Sequence, residues 1–204
     1  MKKIILSVAA VFAFGFANAQ EEAKEAGNGG FAKGDLFVSG SVGFNSAKMD
    51  EAKGSNFYFK PEAGYFLTEN IALGLGLEVG TAKNEGIDTY SDSYKTNNFG
   101  AEVFGRYYFT PASQFSMFAQ LGVGFGTAKT EAFEGAEEAK VNSFGVNAGL
   151  GLNYFVANNW ALQANWAGLG YNSSKPDADG AEATNTFGLN VDMSAINFGV
   201  LYKF

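Results

Sequence analysis

The chain has 204 residues, with no cysteine, no histidine, 27 glycines, 21 phenylalanines and a formal net charge of -7. The absence of cysteine excludes disulfide frameworks and lipid anchors attached to cysteine. The acidic balance argues against a nucleic-acid partner and against polybasic binding to anionic lipid. Without histidine the chain lacks the usual general base of hydrolases and a Cys/His metal site, so we predict no catalytic site, no metal site and no cofactor.

The N-terminus has the pattern of a cleaved secretory signal peptide over residues 1–19. Residues 1–3 are basic, residues 4–16 are apolar, and residues 17–19 read Ala-Asn-Ala, a small-x-small cleavage site. The apolar run is shorter than the ~20 residues of a membrane-spanning helix. Export through the periplasm is therefore expected.

Residues 20–34, QEEAKEAGNGGFAKG, are polar and glycine-containing, which predicts a flexible leader. The remaining residues, 35–204, are enough for one domain.

Alternation of apolar and polar residues recurs along this domain and predicts β-strands. In IALGLGLEVG, residues 71–80, one parity is Ile, Leu, Leu, Leu and Val, and the other is Ala, Gly, Gly, Glu and Gly. Successive strand side chains point to opposite faces, so one face is apolar and the other carries glycine and a carboxylate. The eight predicted strands are 35–45, 56–67, 71–80, 98–109, 115–127, 142–155, 160–171 and a last strand that ends at Phe204.

The connections alternate between long and short. Short turns are predicted at 68–70, 110–114 and 156–159, and longer charged loops at 46–55, 82–97, 128–141 and 172–184. This alternation is typical of an all-β, eight-stranded, antiparallel up-and-down transmembrane barrel with short periplasmic turns and longer extracellular loops. The alternative is a soluble secreted barrel of the lipocalin type, which also closes its sheet.

The charged residues decide between these two barrels. The polar parity carries three cationic and three anionic side chains, and it also holds Gln120, Asn147, Gln163 and many glycines. An eight-stranded lumen is just wide enough for side chains to fill, and buried charges must be paired. Glycine makes room there for the long charged side chains, so the apolar face is predicted to meet lipid. The predicted lumen ion network is Lys60, Glu62, Glu78, Glu102, Arg106 and Lys203, in which Glu102 and Arg106 are interpreted as structural and not as a catalytic pair.

Aromatic residues of the apolar parity collect near both ends of the strands. Two such belts are what the two membrane interfaces select. The predicted belts comprise Tyr65, Tyr107, Phe109, Tyr154 and Trp160 near the short turns, with Phe57, Phe99 and Phe144 toward the long loops.

The last strand contains a change of phase. Phe187, Leu189, Val191 and Met193 are odd-numbered, whereas the apolar residues from Ile196 to Phe204 alternate on even numbers. Either a bulge near Ser194–Ala195 reverses the phase, or the earlier residues belong to the rim of the fourth loop.

The signal peptide, the eight amphipathic strands and the closing INFGVLYKF resemble small outer-membrane β-barrels of Gram-negative bacteria, the group of OmpX, the OmpA membrane domain and the "porin family" barrels. The resemblance implies a location in the outer membrane, with lipid and lipopolysaccharide as partners. It also implies that Tyr202 and the terminal Phe204 form the assembly signal bound by the outer-membrane insertion machinery.

Family resemblance specifies fold better than activity. We expect a monomeric, non-catalytic barrel that contributes to membrane integrity or to surface interaction through its loops. The sequence does not identify the ligand that the loops would bind. The alternative is a narrow porin-like channel for passive diffusion of small solutes. The long charged side chains together with Tyr58, Phe104 and Tyr108 are predicted to plug such a channel, while inward glycines leave some room.

Overall fold

The structure is a computed structural model that describes residues 29–49, 52–85, 94–132, 136–191 and 197–204. The predicted cleavage after Ala19 and the phase change expected near Ser194–Ala195 lie outside these residues. Within the described ranges, no helix is long and apolar enough to cross a membrane.

The described residues are mostly in β-strands. The strands are β1 (Leu36–Met49), β2 (Ala52–Phe66), β3 (Ile71–Glu85), β4 (Tyr94–Tyr108), β5 (Phe115–Glu131), β6 (Ala139–Phe155), β7 (Trp160–Pro176), β8 (Thr184–Val191) and β9 (Asn197–Lys203).

These strands close into an eight-stranded antiparallel barrel, which confirms the predicted fold class. Each of β1 to β7 pairs with the next strand along the chain, and β7 pairs with β8 in one half and with β9 in the other. Thus β8 and β9 together occupy the eighth position. The ring closes between β1 and β9, from the Phe37–Lys203 pair to the Ser41–Gly199 pair. Closure satisfies the backbone polar groups within the protein, as an apolar membrane requires.

The strands extend well into the segments that the sequence predicted as long loops. The predicted loop 46–55 is mostly hairpin, because β1 and β2 remain paired up to Met49 and Ala52. Likewise β4 and β5 stay paired out to Lys95 and Glu131. The prediction was wrong here because both faces of these stems carry polar residues, so the apolar alternation stops while the main-chain pairing continues.

The apolar face of the barrel is the outer one. In β3 the side chains of Leu73, Leu75 and Leu77 are exposed, and Ala72 on the opposite face is fully buried. Aromatic side chains of the predicted belts are exposed as well. These are Tyr65, Tyr107, Phe109, Tyr154, Trp160, Phe57, Phe99 and Phe144.

Strand β7 contains a bulge that the sequence analysis did not anticipate. Asn165 pairs with Gly151 and Ala167 pairs with Leu150, which leaves Trp166 as an extra residue between two ladder pairs. The exposed parity changes accordingly from even at Leu162 to odd at Leu169. An inserted residue reverses the alternation of every residue beyond it.

The neighbouring eighth position shows both phases as well. Phe187 and Leu189 are exposed in β8, whereas Phe198 and Val200 are exposed in β9. The odd and even apolar runs of the sequence therefore both face outward.

Glycines stand opposite large inward side chains on neighbouring strands. Phe104 pairs across β3–β4 with Gly74, and Phe118 pairs across β5–β6 with Gly151. A methyl group at Gly74 would overlap the Phe104 ring, so the ring lies over the bare backbone of its partner. The sequence predicted that glycine makes room for charged side chains, but it more often makes room for aromatic rings. Such pairs of ring and glycine stabilise a curved sheet.

Replacing Leu75 with arginine tests which face is outside. Leu75 is 63% exposed on the lipid side of β3. An arginine near mid-membrane should lower the free energy of unfolding by ~2–4 kcal/mol, measured by urea titration in phospholipid vesicles. Leu75→Met is the matched control, since it conserves volume and apolarity. An unchanged unfolding midpoint for Leu75→Arg would reverse the assignment of the two faces.

Gly74→Ala tests the pairing of glycine with aromatic rings. The added methyl group would overlap Phe104 and lie 2.5 Å from the carbonyl oxygen of Ala63. Overpacking of this kind should cost about 1–3 kcal/mol of unfolding free energy in the same titration. Gly188→Ala is the control, because no atom lies within 4 Å of its added methyl group. Equal stability of the two variants would contradict the steric explanation.

Candidate functional site in the barrel lumen

Arg106 is the centre of a polar layer that crosses the lumen. Its side chain, projecting inward from β4, is only 1% exposed. The Nη2 atom pairs with Glu62 Oε2 at 2.5 Å, Nε donates to Gln120 Oε1 at 2.7 Å, and Nη1 donates to Gln163 Oε1 at 3.3 Å. The Ser39 hydroxyl donates to the same Glu62 oxygen at 3.1 Å. One guanidinium group therefore connects side chains from several walls of the barrel.

Aromatic rings surround the same guanidinium group. The Arg106 Cζ atom lies 4.5 Å from the ring centroid of Phe104, 4.6 Å from that of Phe118 and 5.4 Å from that of Phe37. Cation–π attraction strengthens when the cation is desolvated. The rings and the carboxylate together keep this buried charge compensated.

Glu102 has a different environment from Glu62. Gln120 Nε2 donates to its Oε1 atom at 2.9 Å, and Asn147 Nδ2 donates to its Oε2 atom at 2.9 Å. Among the described residues, no lysine or arginine lies within ion-pair distance of this carboxylate. A methyl group at Gly122 would overlap the Glu102 carboxylate, so this glycine provides the predicted space for a charged side chain.

Lys60 and Glu78 form a second ion pair in the lumen. The Nζ–Oε2 distance is 2.7 Å and each side chain is 45% exposed. A pair so accessible to water contributes little to stability.

A cavity of about 650 Å³ lies between these groups and the outer hairpins. Its lining includes Glu62, Glu78, Glu102 and Gln163, and it reaches Asn98 and Asn172 toward the long hairpins. We call this cavity the vestibule. Polar side chains and glycines make up most of its lining.

The periplasmic end of the lumen is filled by an aromatic cluster around Phe31. This residue precedes β1 and is only 3% exposed. Its ring centroid lies 4.6 Å from that of Phe66, 5.0 Å from Phe155, 5.1 Å from Tyr108 and 5.9 Å from Phe37. The four surrounding rings belong to the barrel wall, whereas Phe31 does not.

The segment that carries Phe31 is fastened at several points. Phe31 N donates to Pro111 O at 2.7 Å, and Gly34 N donates to Phe66 O at 2.9 Å. Lys203 Nζ donates to Gly30 O at 2.7 Å and lies 3.4 Å from Asp35 Oδ2. Of the predicted leader 20–34, Gly30 and Phe31 are buried in the barrel mouth, whereas residues 32–34 are exposed.

The structure divides five of the six residues of the predicted ion network into three groups. Arg106 and Glu62 form the buried layer, Lys60 and Glu78 pair above it, and Glu102 is held by amide groups. These residues share the lumen.

Lys203 does not join the other five residues. It fastens the N-terminal segment at the periplasmic mouth. Sequence parity assigned Lys203 to the correct face, but parity carries no information on height along the barrel.

Phe31 is the residue that sequence reasoning missed. The one signal for it is an isolated aromatic residue within a polar segment, directly after two glycines. Both glycines adopt positive φ, 72° at Gly29 and 102° at Gly30, a conformation that glycine adopts without strain. At Gly30 an added methyl group would lie 2.7 Å from the Ala112 carbonyl carbon, so the approach is close as well.

The C-terminal residues of the predicted assembly signal complete the same mouth. Phe204 N donates to Leu36 O at 2.9 Å, which joins the last residue to the first strand. The Tyr202 ring packs against Trp160 and Phe204, with centroids 4.9 Å away in each case. In the part of the chain that the structure describes, no group of acidic residues is arranged to hold a metal ion.

Comparison with known proteins gives one family and several similar structures. The family model described as "Outer membrane protein beta-barrel domain" matches residues 6–204. No curated protein matches the chain. OprG from Pseudomonas aeruginosa is 15% identical with a TM-score of 0.54, covering 87% of this chain and 99% of that chain. Neisserial surface protein A is 19% identical with a TM-score of 0.49, covering 84% of this chain and 100% of that one.

Replacing Arg106 tests the buried layer. Arg106→Met leaves the Glu62 carboxylate without its cation, which should lower the free energy of unfolding by ~3–5 kcal/mol in a denaturant titration in lipid. Adding Glu62→Gln should recover part of this loss, because a neutral amide needs no counter-charge. Lys60→Met is the control and should change stability by only ~0–1 kcal/mol, since its pair is exposed. An equal loss of unfolding free energy in Arg106→Met and Lys60→Met would contradict the burial assigned to Arg106.

Proposed function

Because this chain belongs to the outer-membrane protein β-barrel domain family and lies in the outer membrane, we propose that it is a non-catalytic, non-conducting barrel. Its work is to contribute to membrane integrity and to hold its outer hairpins for surface interaction. The observation that carries this proposal is the Phe31 cluster, which fills the periplasmic end of the lumen. A lumen with one filled end offers no continuous path for solutes.

The outer hairpins support a role at the cell surface. They are held by cross-strand contacts beyond the belts, including the Thr96–Thr130 hydroxyl pair at 3.0 Å and the Lys129–Glu138 ion pair at 2.8 Å. A second ion pair joins Lys140 to Asp177 at 3.1 Å and thereby links β6 to the end of β7. A pocket of about 320 Å³ lies among these ends and is lined by both ion pairs. Paired stems that carry charged side chains suit recognition of a polar ligand.

Two partners follow from the outer face and the C-terminus. The apolar face fits the acyl chains of lipid and lipopolysaccharide, and the charged hairpins fit the polar head groups above them. Tyr202 and Phe204 are proposed as the assembly signal bound by the insertion machinery. The barrel is proposed to be a monomer.

A narrow porin-like channel is the second candidate function. The vestibule favours it, because a polar cavity of about 650 Å³ already occupies the lumen above Arg106. The filled periplasmic end argues against it in the state that the structure describes.

Electrical recording from the refolded protein in a planar bilayer separates the two candidates. We expect no conductance steps from the native chain, because the Phe31 cluster interrupts the water path. A heat-modifiable shift in gel mobility must accompany the recording, since it verifies that a folded barrel is present. Steady conductance steps from a folded barrel would favour the channel over the non-conducting barrel.

A further inference from the structure

The closed end of the barrel is built from two kinds of parts. Phe37, Phe66, Tyr108 and Phe155 come from β1, β2, β4 and β6, and each is paired in the ladder of the wall. Phe31 comes from the segment before β1 and lies among the four rings. The wall rings form an annulus, and Phe31 closes its centre.

The segment 29–35 precedes β1 and is not part of the strand ladder. Besides the ring contacts of Phe31, hydrogen bonds at Pro111 and Phe66 and two contacts of Lys203 hold it to the barrel, and Phe66 N also donates to Asp35 O at 2.9 Å. The segment can leave the mouth without breaking a ladder pair of the barrel. We call residues 29–35 the stopper.

A polar path leads from the vestibule toward the stopper. Below Arg106, the hydroxyl group of Ser116 and both amide atoms of Asn153 are buried and make no hydrogen bond of standard geometry to the described residues. Ser116 pairs across the strands with Asn153, and Asn153 pairs with Gln163, which bonds to Arg106. Buried polar groups of this kind are normally satisfied by ordered water. Ordered water at Ser116 and Asn153 would extend the polar contacts of the vestibule below Arg106.

We infer that this barrel is a latent conduit for small cations, which the stopper keeps closed at the periplasmic mouth. The inference rests on the proposed closed state and adds an activity to it. Glu62, Glu78 and Glu102 outnumber Lys60 and Arg106 in the lumen. Within the described ranges, no cationic side chain lies within ion-pair distance of Glu102. A narrow lumen with excess negative charge favours cations over anions.

Phe31→Ala tests the conduit directly. Removal of the central ring opens the annulus, so discrete conductance steps should appear in a planar bilayer where the native barrel gives none. In a gradient of potassium chloride the reversal potential should have the sign of cation selectivity. Adding Glu102→Gln should move the reversal potential toward zero, because this variant removes the uncompensated lumen charge.

Matched variants separate the loss of a ring from the loss of the stopper. Phe57→Ala removes a phenyl group from the lipid face and should leave the barrel silent, whereas Phe31→Trp should keep the annulus filled and silent. Lys203→Met keeps every ring but removes the fastening at Gly30 and Asp35, so it should give brief openings. Each recording is paired with the gel-shift assay for folding.

The outcomes distinguish this inference from the proposed function. Conductance by the native barrel would overturn the proposed closed state. The conduit would be overturned if the native barrel, folded Phe31→Ala and folded Lys203→Met all gave no conductance. The proposed non-conducting barrel would then be retained. Should Phe31→Ala fail to fold, Lys203→Met decides alone: silence overturns the conduit and openings support it. Equal openings in Phe57→Ala would also overturn the role of Phe31.

Discussion

Closure of the sheet by the pairing of β1 with β9 is the constraint on which the rest of this structure depends. A membrane-spanning sheet has no water to satisfy an open edge, so the first and last strands must bond to each other. Here that bonding runs from Phe37 with Lys203 to Ser41 with Gly199. With the ring closed, the lumen has the width that eight strands allow. Every inward side chain must fit within that width, and glycine occupies positions where a neighbouring side chain needs the space.

The lumen meets this limit by alternating very large and very small side chains across neighbouring strands. Gly74 faces Phe104, Gly151 faces Phe118, and Gly122 lies under the Glu102 carboxylate. The same arrangement decides the chemistry. Rings packed on glycine surround Arg106 in the periplasmic half, and the outer half is left to amides and carboxylates. Fold and electrostatics are therefore two results of one packing solution.

Much of the fold was predictable from the sequence, because the period of two in IALGLGLEVG fixes both the strand and its two faces. The hairpin stems were missed for the same physical reason, since a stem with water on both sides has no apolar alternation. The Trp166 bulge was missed because one extra residue alters the parity without any change in composition. For the site, parity assigned Arg106 and Glu62 to the lumen, but their pairing depends on strand register, which the turns set. Phe31 lies outside all strands, so no periodicity could predict its place.

The position of the stopper follows from the topology. An even number of strands puts the first and last residues of the barrel on the same side, here the side of the short turns. The segment before β1 and the end of β9 therefore meet at one mouth, where Lys203 can bond to Gly30 and lie beside Asp35. The outer side has no chain terminus to insert, and its lumen remains a polar vestibule. The asymmetry between a filled periplasmic end and a water-accessible extracellular end thus arises from strand parity, and the side chains of Phe31 and Lys203 make use of it.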